Sequence, residues 1–133
     1  MKQLYITHCS REKDTALEKS GERATPDRLY TSPVLKRFIR HCQSQGLAWA
    51  IFSDKYGVVF PQETIPWYSK PPSEVTEEEF AALLENFTTR LAGYDEIWFY
   101  QRAGETHPLF QRVMELGRQA GLPIKELFEE NIT

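Results

Sequence analysis

The sequence predicts an α/β fold, a single three-layer domain over residues 1–133 with a mostly parallel sheet of about four strands flanked by helices. Three observations predict it. Short apolar runs at 3–8, 47–53 and 96–101 alternate with longer segments whose apolar residues recur at helical spacing. The middle run, LAWAIFS, is apolar almost throughout, as a strand buried on both faces must be. With 133 residues, 41% hydrophobic and 26% charged, the chain matches one core of ordinary globular composition.

The elements follow in order. QLYITH, residues 3–8, reads as a short buried strand. Residues 10–28 are polar and contain Pro26, which predicts a long loop with at most a helical turn; such loops in small domains tend to be functional or mobile. Pro33 opens a helix behind Ser32 as N-cap, with Val34, Leu35, Phe38, Ile39 and Cys42 on its apolar face and Gly46 at its end. LAWAIFS is the second strand. Gly57, Pro61, Pro66, Pro71 and Pro72 then predict an irregular excursion over 57–72. Thr76 and Glu79 form a capping box for a helix over 77–92 that turns Phe80, Leu83, Leu84, Phe87 and Leu91 inward. EIWFYQ, residues 96–101, is the third strand. A third helix runs from Thr106 or His107 to Gly121, with Leu109, Phe110, Val113, Leu116 and Ala120 inward. PIKELF closes the chain as an edge strand or a short helical tail.

Charge and cysteine content narrow the function. The formal net charge of −3 gives no global attraction to nucleic acid, yet it is unevenly spread. Residues 1–45 hold nine Lys and Arg against five Asp and Glu; residues 46–133 hold seven against fourteen. A basic N-terminal third suits either an anionic ligand or a solvated helix face. Two cysteines, Cys9 and Cys42, are too few for a disulfide framework or a zinc site, so no metal and no cofactor is expected. No apolar stretch approaches the roughly 20 residues that span a bilayer. The N-terminus has no signal-peptide core, so a cytoplasmic protein without membrane contact is expected.

In an open parallel sheet, ligands bind beyond the carboxyl ends of the strands. Three polar clusters fall there: His8, Cys9 and Ser10; Ser53, Asp54, Lys55 and Tyr56; and Gln101, Arg102, Gly104, Glu105 and Thr106. Cys9 reads two ways. It is a small buried hydrophobe, or a nucleophile activated by His8, Arg11 and Lys13. Ser53, Lys55 and Tyr56 either hold a planar polar ligand or phosphate, or mark a turn in which Gly57 supplies positive φ. RAGETHP, residues 102–108, reads as an anion cradle at a helix start or as a polar capping loop. His107 suits acid–base work or a structural role, and Trp67, Tyr68 and Trp98 suit base stacking or the core. Walker A, GxGxxG, GxSxG and HExxH motifs are absent.

CSREK after the first strand, LYTSPVLKRF at the first helix and FSDKYGVVFPQETIPWY after the second strand together resemble a known pattern. It belongs to small bacterial, archaeal and phage domains of largely unassigned function, with Cys-x-x-x-Lys, Leu-Tyr-x-Ser and Ser-x-Lys-Tyr-Gly motifs. The pattern is similar to that of the catalytic domain of archaeosine synthase, which acts on a 7-deazaguanine base in transfer RNA, and loosely to YaaA-type proteins. The resemblance covers residues 3–68 by motif and singles out Cys9, Ser10, Lys13, Leu29, Tyr30, Ser32, Ser53, Lys55, Tyr56, Gly57, Pro66 and Tyr68. It departs from archaeosine synthase in that no Pro-Tyr follows Lys13, and no appended RNA-binding domain is expected.

Together these features lead us to expect a nucleobase-, nucleoside- or nucleotide-binding enzyme. Cys9 would be the nucleophile, and Lys55, with Arg102, would stabilise negative charge. Ser10, Lys13, Tyr30, Ser32, Ser53, Tyr56, Gly57, Tyr68, Gly104 and Thr106 complete the expected ligand site. The alternative is a non-catalytic nucleotide- or RNA-binding module using the same edge and the basic face of Lys36, Arg37 and Arg40.

Overall fold

The computed structural model describes residues 1–102 and 104–129. Five strands, β1 (Gln3–His8), β2 (Trp49–Ser53), β3 (Gly57–Val59), β4 (Glu96–Gln101) and β5 (Ile124–Phe128), form one sheet in the order β3-β2-β1-β4-β5. Every neighbouring pair is parallel except β2 with β3. The α/β class is therefore as the alternation predicts, with one strand more than expected.

That extra strand lies in the stretch expected to be irregular. Gly57 has φ +79°, so the chain reverses and Gly57–Val59 runs back along Ser53–Ile51. A Cβ at Gly57 would also lie 2.3 Å from the Asn86 side-chain oxygen, which accepts the Val58 N–H at 2.8 Å. Both conditions demand glycine. The tail resolves to a strand rather than a helix, since Ile97–Gln101 pair with Ile124–Phe128.

The expected loop at 10–28 contains two short helices, α1 (Thr15–Ser20) and α2 (Pro26–Leu29). Asp14 caps α1 by accepting the Ala16 N–H, and Leu17 buries its one apolar side chain. Pro26 starts α2, where its missing N–H is harmless. Isolated bridges Lys13↔Tyr30 and Ala24↔Ile65 tie the segment down.

The helices α3 (Pro33–Ser44), α4 (Glu77–Arg90) and α5 (Pro108–Gln119) cover the sheet. Side chains alternate along each strand, so each face is read from its contacts. Phe38 of α3 stacks on Tyr100 at 5.3 Å. Phe52 meets Phe87 of α4 and Phe110 of α5 edge-on at 5.2 and 6.0 Å, on the opposite face. Fully buried side chains of this size each stabilise the fold by about 1.5–3 kcal/mol. The capping box of α4 is present: Thr76 accepts the Glu79 N–H, and Glu79 accepts the Thr76 N–H. Leu84 is only half-buried, Ala120 is exposed, and Met114 and Gly117 join the inner face of α5 instead.

This topology positions a crevice. The chain leaves central β1 for β2 on one side through α3, and later enters β4 on the other side. Right-handed crossovers running in opposite directions place their helices on opposite faces. The carboxyl ends of β1 and β4 are left uncovered between them, which is where such sheets bind ligands. No helix among the described residues is long and apolar enough to cross a membrane.

Candidate active site at the carboxyl ends of the central strands

Alternation along β1 sends His8 and Cys9 to opposite faces. His8 turns toward α5 and stacks on Phe110 at 4.6 Å, with its rings 14° apart. Cys9 lies on the α3 face, and its N–H donates to the Phe52 carbonyl at 2.9 Å, extending the parallel ladder by one residue. Beyond it the chain is held by Thr31 N–H to Glu12 carbonyl (3.0 Å) and Asp14 N–H to Leu29 carbonyl (2.8 Å). Lys13 is thereby set beside Tyr30 and over the Tyr68 ring, 4.3 Å from its centroid.

Beneath Cys9 lies a buried hydroxyl network. Ser53 Oγ accepts the backbone N–H groups of Lys55 (3.1 Å) and Tyr56 (3.0 Å) and donates to the Tyr68 hydroxyl (2.9 Å). The Tyr68 and Tyr30 hydroxyls are 2.6 Å apart. Burial, then the neighbouring Cys9, pushes both phenols well above their usual range, so both stay neutral. A satisfied buried network of this kind fixes the position of whatever rests on it.

Cys9 rests on it, only 9% exposed. Burial, followed by the negative charge of Asp54, pushes its thiol up to about 12. The neighbouring Asp54 N–H and Tyr68 hydroxyl dipoles and the Lys13 charge pull the other way without prevailing. At neutral pH Cys9 is a thiol. Burial raises the Asp54 carboxyl, opposed by the Cys9 thiol and the charges of Lys13 and Lys70. Asp54 is 2% exposed, and its Oδ1 has no hydrogen-bond partner. Burial also lowers Lys13, against the attraction of Cys9, Asp54 and Glu12. Among the described residues Lys13 has no ion pair. For His8, burial outweighs its bond to the Cys9 carbonyl and lowers the imidazole. That carbonyl can only accept, so Nδ1 carries the proton and Nε2 is left as an acceptor.

Two clefts share a wall made of His8, Cys9, Ser10, Glu12 and Glu105. The larger, about 570 Å³, lies at the switch between β1 and β4 and includes Ser32, Arg37, Gln101 and Arg102. The smaller, about 380 Å³, includes Lys13, Asp54, Lys70, His107 and Phe110. Both volumes suit a small-molecule ligand.

The expected site residues divide accordingly. Cys9 and Ser10 reach both clefts, Lys13 the smaller, and Ser32 and Arg102 the larger. Tyr30, Ser53 and Tyr68 form the layer beneath Cys9 and line neither cleft; Tyr56 meets Tyr68 edge-on at 5.3 Å. Gly57 serves the turn into β3. Lys55 is exposed, reaches over Tyr56 and lies apart from both Cys9 clefts, lining a neighbouring one with Asp54, Tyr56 and Lys70. Lys13 is the lysine beside the thiol. Arg102 is held by Glu105 (3.0 Å) and Glu129 (2.7 Å), so its charge is already matched.

In the 102–108 loop the described residues make the contacts of the capping-loop alternative. Gly104 only supplies a turn at φ +76°, and the Thr106 hydroxyl donates to Gln101 at 2.7 Å. The free end of α5 is capped by His107, whose Nδ1 accepts the Leu109 N–H. Ser32 stands at the N-cap of α3 but makes no capping bond, and points to the larger cleft. On the basic face, Lys36 donates to the Asp27 carbonyl and Arg37 pairs with Glu129.

Asp54 is the residue to which sequence reading gave no role. Its available signal was a carboxylate placed at the end of a continuously apolar strand, where burial is the default. Cys42 is fully buried in the core, and both cysteines are free. Among the described residues no three His, Cys, Asp or Glu side chains gather as a metal site.

The model of a family of unknown function, DUF6884, matches residues 5–130, and the chain belongs to that family. No curated protein and no solved structure matches it.

Proposed function

We propose that this member of a family without an assigned activity is an enzyme that adds its Cys9 thiol to an electrophilic carbon of a nucleobase-type small molecule. The observation that carries the reading is that Cys9 and Asp54, both buried, line one cleft at the ends of the central strands. A thiol this deeply protonated needs a base within reach, and a carboxylate whose proton affinity is raised by burial is such a base. Asp54 takes the Sγ proton as sulfur forms its bond to carbon. The carbon's π bond breaks toward nitrogen or oxygen, and that atom receives the proton, so the addition involves no net oxidation. The Lys13 ammonium steadies the charge that develops. The motifs shared with the archaeosine synthase catalytic domain support a base as the ligand, as does a cleft at the sheet edge that nucleotides commonly use.

One observation favours a second reading, a non-catalytic binding module: burial holds Cys9 at about 12, far from the poise of an activated thiolate. The two readings part on one experiment. Wild type and Cys9→Ser are screened by thermal shift against bases, nucleosides and nucleotides, and hits are followed by intact mass and turnover. The enzyme reading expects a Cys9 adduct or turnover that vanishes in Cys9→Ser while binding persists. Turnover unchanged in Cys9→Ser removes it. Binding without chemistry in either protein supports the module, and for RNA the affinity must also fall steeply with salt.

A further inference from the structure

The smaller cleft contains two groups whose hydrogen-bonding capacity is unspent. Asp54, 2% exposed, lines the cleft, and its Oδ1 is a buried acceptor without a partner among the described residues. Native structures rarely leave such an atom unpaired, because each one costs about 1–3 kcal/mol. Lys13 lines the same cleft as a cation without an ion pair among the described residues. Its Nζ is held over the Tyr68 ring, and among the described residues its hydrogen bonding is one long contact to the Arg11 carbonyl at 3.5 Å. The other lysine there, Lys70, is already paired with Glu79. Beside the Cys9 thiol the cleft therefore offers a buried acceptor, Asp54 Oδ1, and a donor, Lys13 Nζ, with His8 Nε2 as a further acceptor on its wall.

We infer that the smaller cleft recognises the edge of a cyclic lactam, an adjoining ring N–H and C=O, with the N–H donating to Asp54 Oδ1 and the C=O accepting from Lys13. The pairing is complementary in both directions. A carboxylate cannot donate and an ammonium cannot accept, so neither tolerates the reversed edge. Guanine-like, hypoxanthine-like and uracil-like rings present this edge. Adenine-like rings carry no carbonyl and fail at Lys13. A ring methylated on that nitrogen loses its donor and leaves Oδ1 buried and unpaired, which is the stronger form of rejection. This inference rests on the nucleobase reading for its biological ligand but not for its chemistry.

Binding is measured by calorimetry for inosine, 1-methylinosine, adenosine and the non-nucleobase lactams hydantoin and succinimide, on wild type and Asp54→Asn. Inosine should bind at least about tenfold more tightly than 1-methylinosine or adenosine. Asparagine can present either an acceptor or a donor, so the preference for inosine over 1-methylinosine should shrink in Asp54→Asn. A Lys13→Met variant should lose the preference for inosine over adenosine while keeping the penalty for methylation. Binding of hydantoin or succinimide with no nucleoside bound would uphold the lactam edge and overturn the nucleobase reading. Nucleosides bound without regard to the edge, in wild type and Asp54→Asn alike, would overturn the edge and leave the nucleobase reading standing. Absence of binding by the whole panel would overturn both.

Discussion

Replacing Asp54 with asparagine should make Cys9 easier to ionise and, on the proposed mechanism, lower turnover. In the folded protein the thiol rises from an ordinary 9.0 to about 12, with burial the larger cause and the Asp54 charge the second. Three units correspond to about 4 kcal/mol between the two protonation states. At pH 8 the thiolate is then about one part in ten thousand of folded Cys9, against about one in ten for a solvated thiol. Alkylation by iodoacetamide follows the thiolate, so native Cys9 should react about a thousandfold more slowly than the denatured chain. The assay is alkylation rate against pH from 6 to 11, resolved by peptide mass spectrometry, with fully buried Cys42 as the internal control. Wild-type Cys9 should still be accelerating at pH 11. In Asp54→Asn the charge is gone, so the midpoint falls and the rate at pH 8 rises, while turnover falls because the proton acceptor is lost. The sign on stability follows. A folded pKa above the unfolded one contributes stability below about pH 9, and that stability is lost as the pH climbs from 9 toward 12. A wild-type plateau near pH 9, or slower alkylation in Asp54→Asn, would refute the reasoning.

Two further outcomes test the scaffold under the site. Gly57→Ala forces a side chain into φ +79° and drives a Cβ to 2.3 Å from the Asn86 oxygen, displacing the acceptor of the Val58 N–H. Backbone strain and the lost bond together should cost about 2–4 kcal/mol in urea unfolding, and combining it with Asn86→Ala should cost less than the sum of the two. Tyr68→Phe strips the central hydroxyl from the network, leaving Ser53 and Tyr30 short of a partner. It should destabilise by about 1–3 kcal/mol and lower the Cys9 thiol's readiness to ionise, since the nearby hydroxyl dipole that favours the thiolate goes with it.

The helices and parallel strands were legible because they repeat a local rule. Pro33 after Ser32, Thr76 with Glu79, and the apolar spacing of 80, 83 and 87 each act within a few residues. What escaped depended on partners far along the chain. Gly57–Val59 carries too few residues to declare itself as a strand, and it becomes one because β2 offers an open edge. The two helices between Cys9 and Tyr30 are one or two turns long, too short to show periodicity. They persist because Ala24 bridges Ile65 and Lys13 bridges Tyr30.

The site shows the same division. Sequence order alone placed Cys9, Ser53–Tyr56 and Arg102 at the carboxyl edge of the sheet, because strand–helix alternation makes the strands parallel and parallel strands end together. It also offered lysine and tyrosine as the polar partners. Which lysine, and in which layer each tyrosine lies, was left to the fold. Lys13 and Asp54 are separated by 41 positions, yet both line the cleft beside Cys9 while neighbouring Lys55 faces solvent. Alternation sends adjacent residues of a strand end in opposite directions, so sequence proximity to a site residue does not fix which side a group takes. Burial, which turns Asp54 from a surface turn carboxylate into a buried one with raised proton affinity, is a property of the packed tertiary structure and has no local sequence signature.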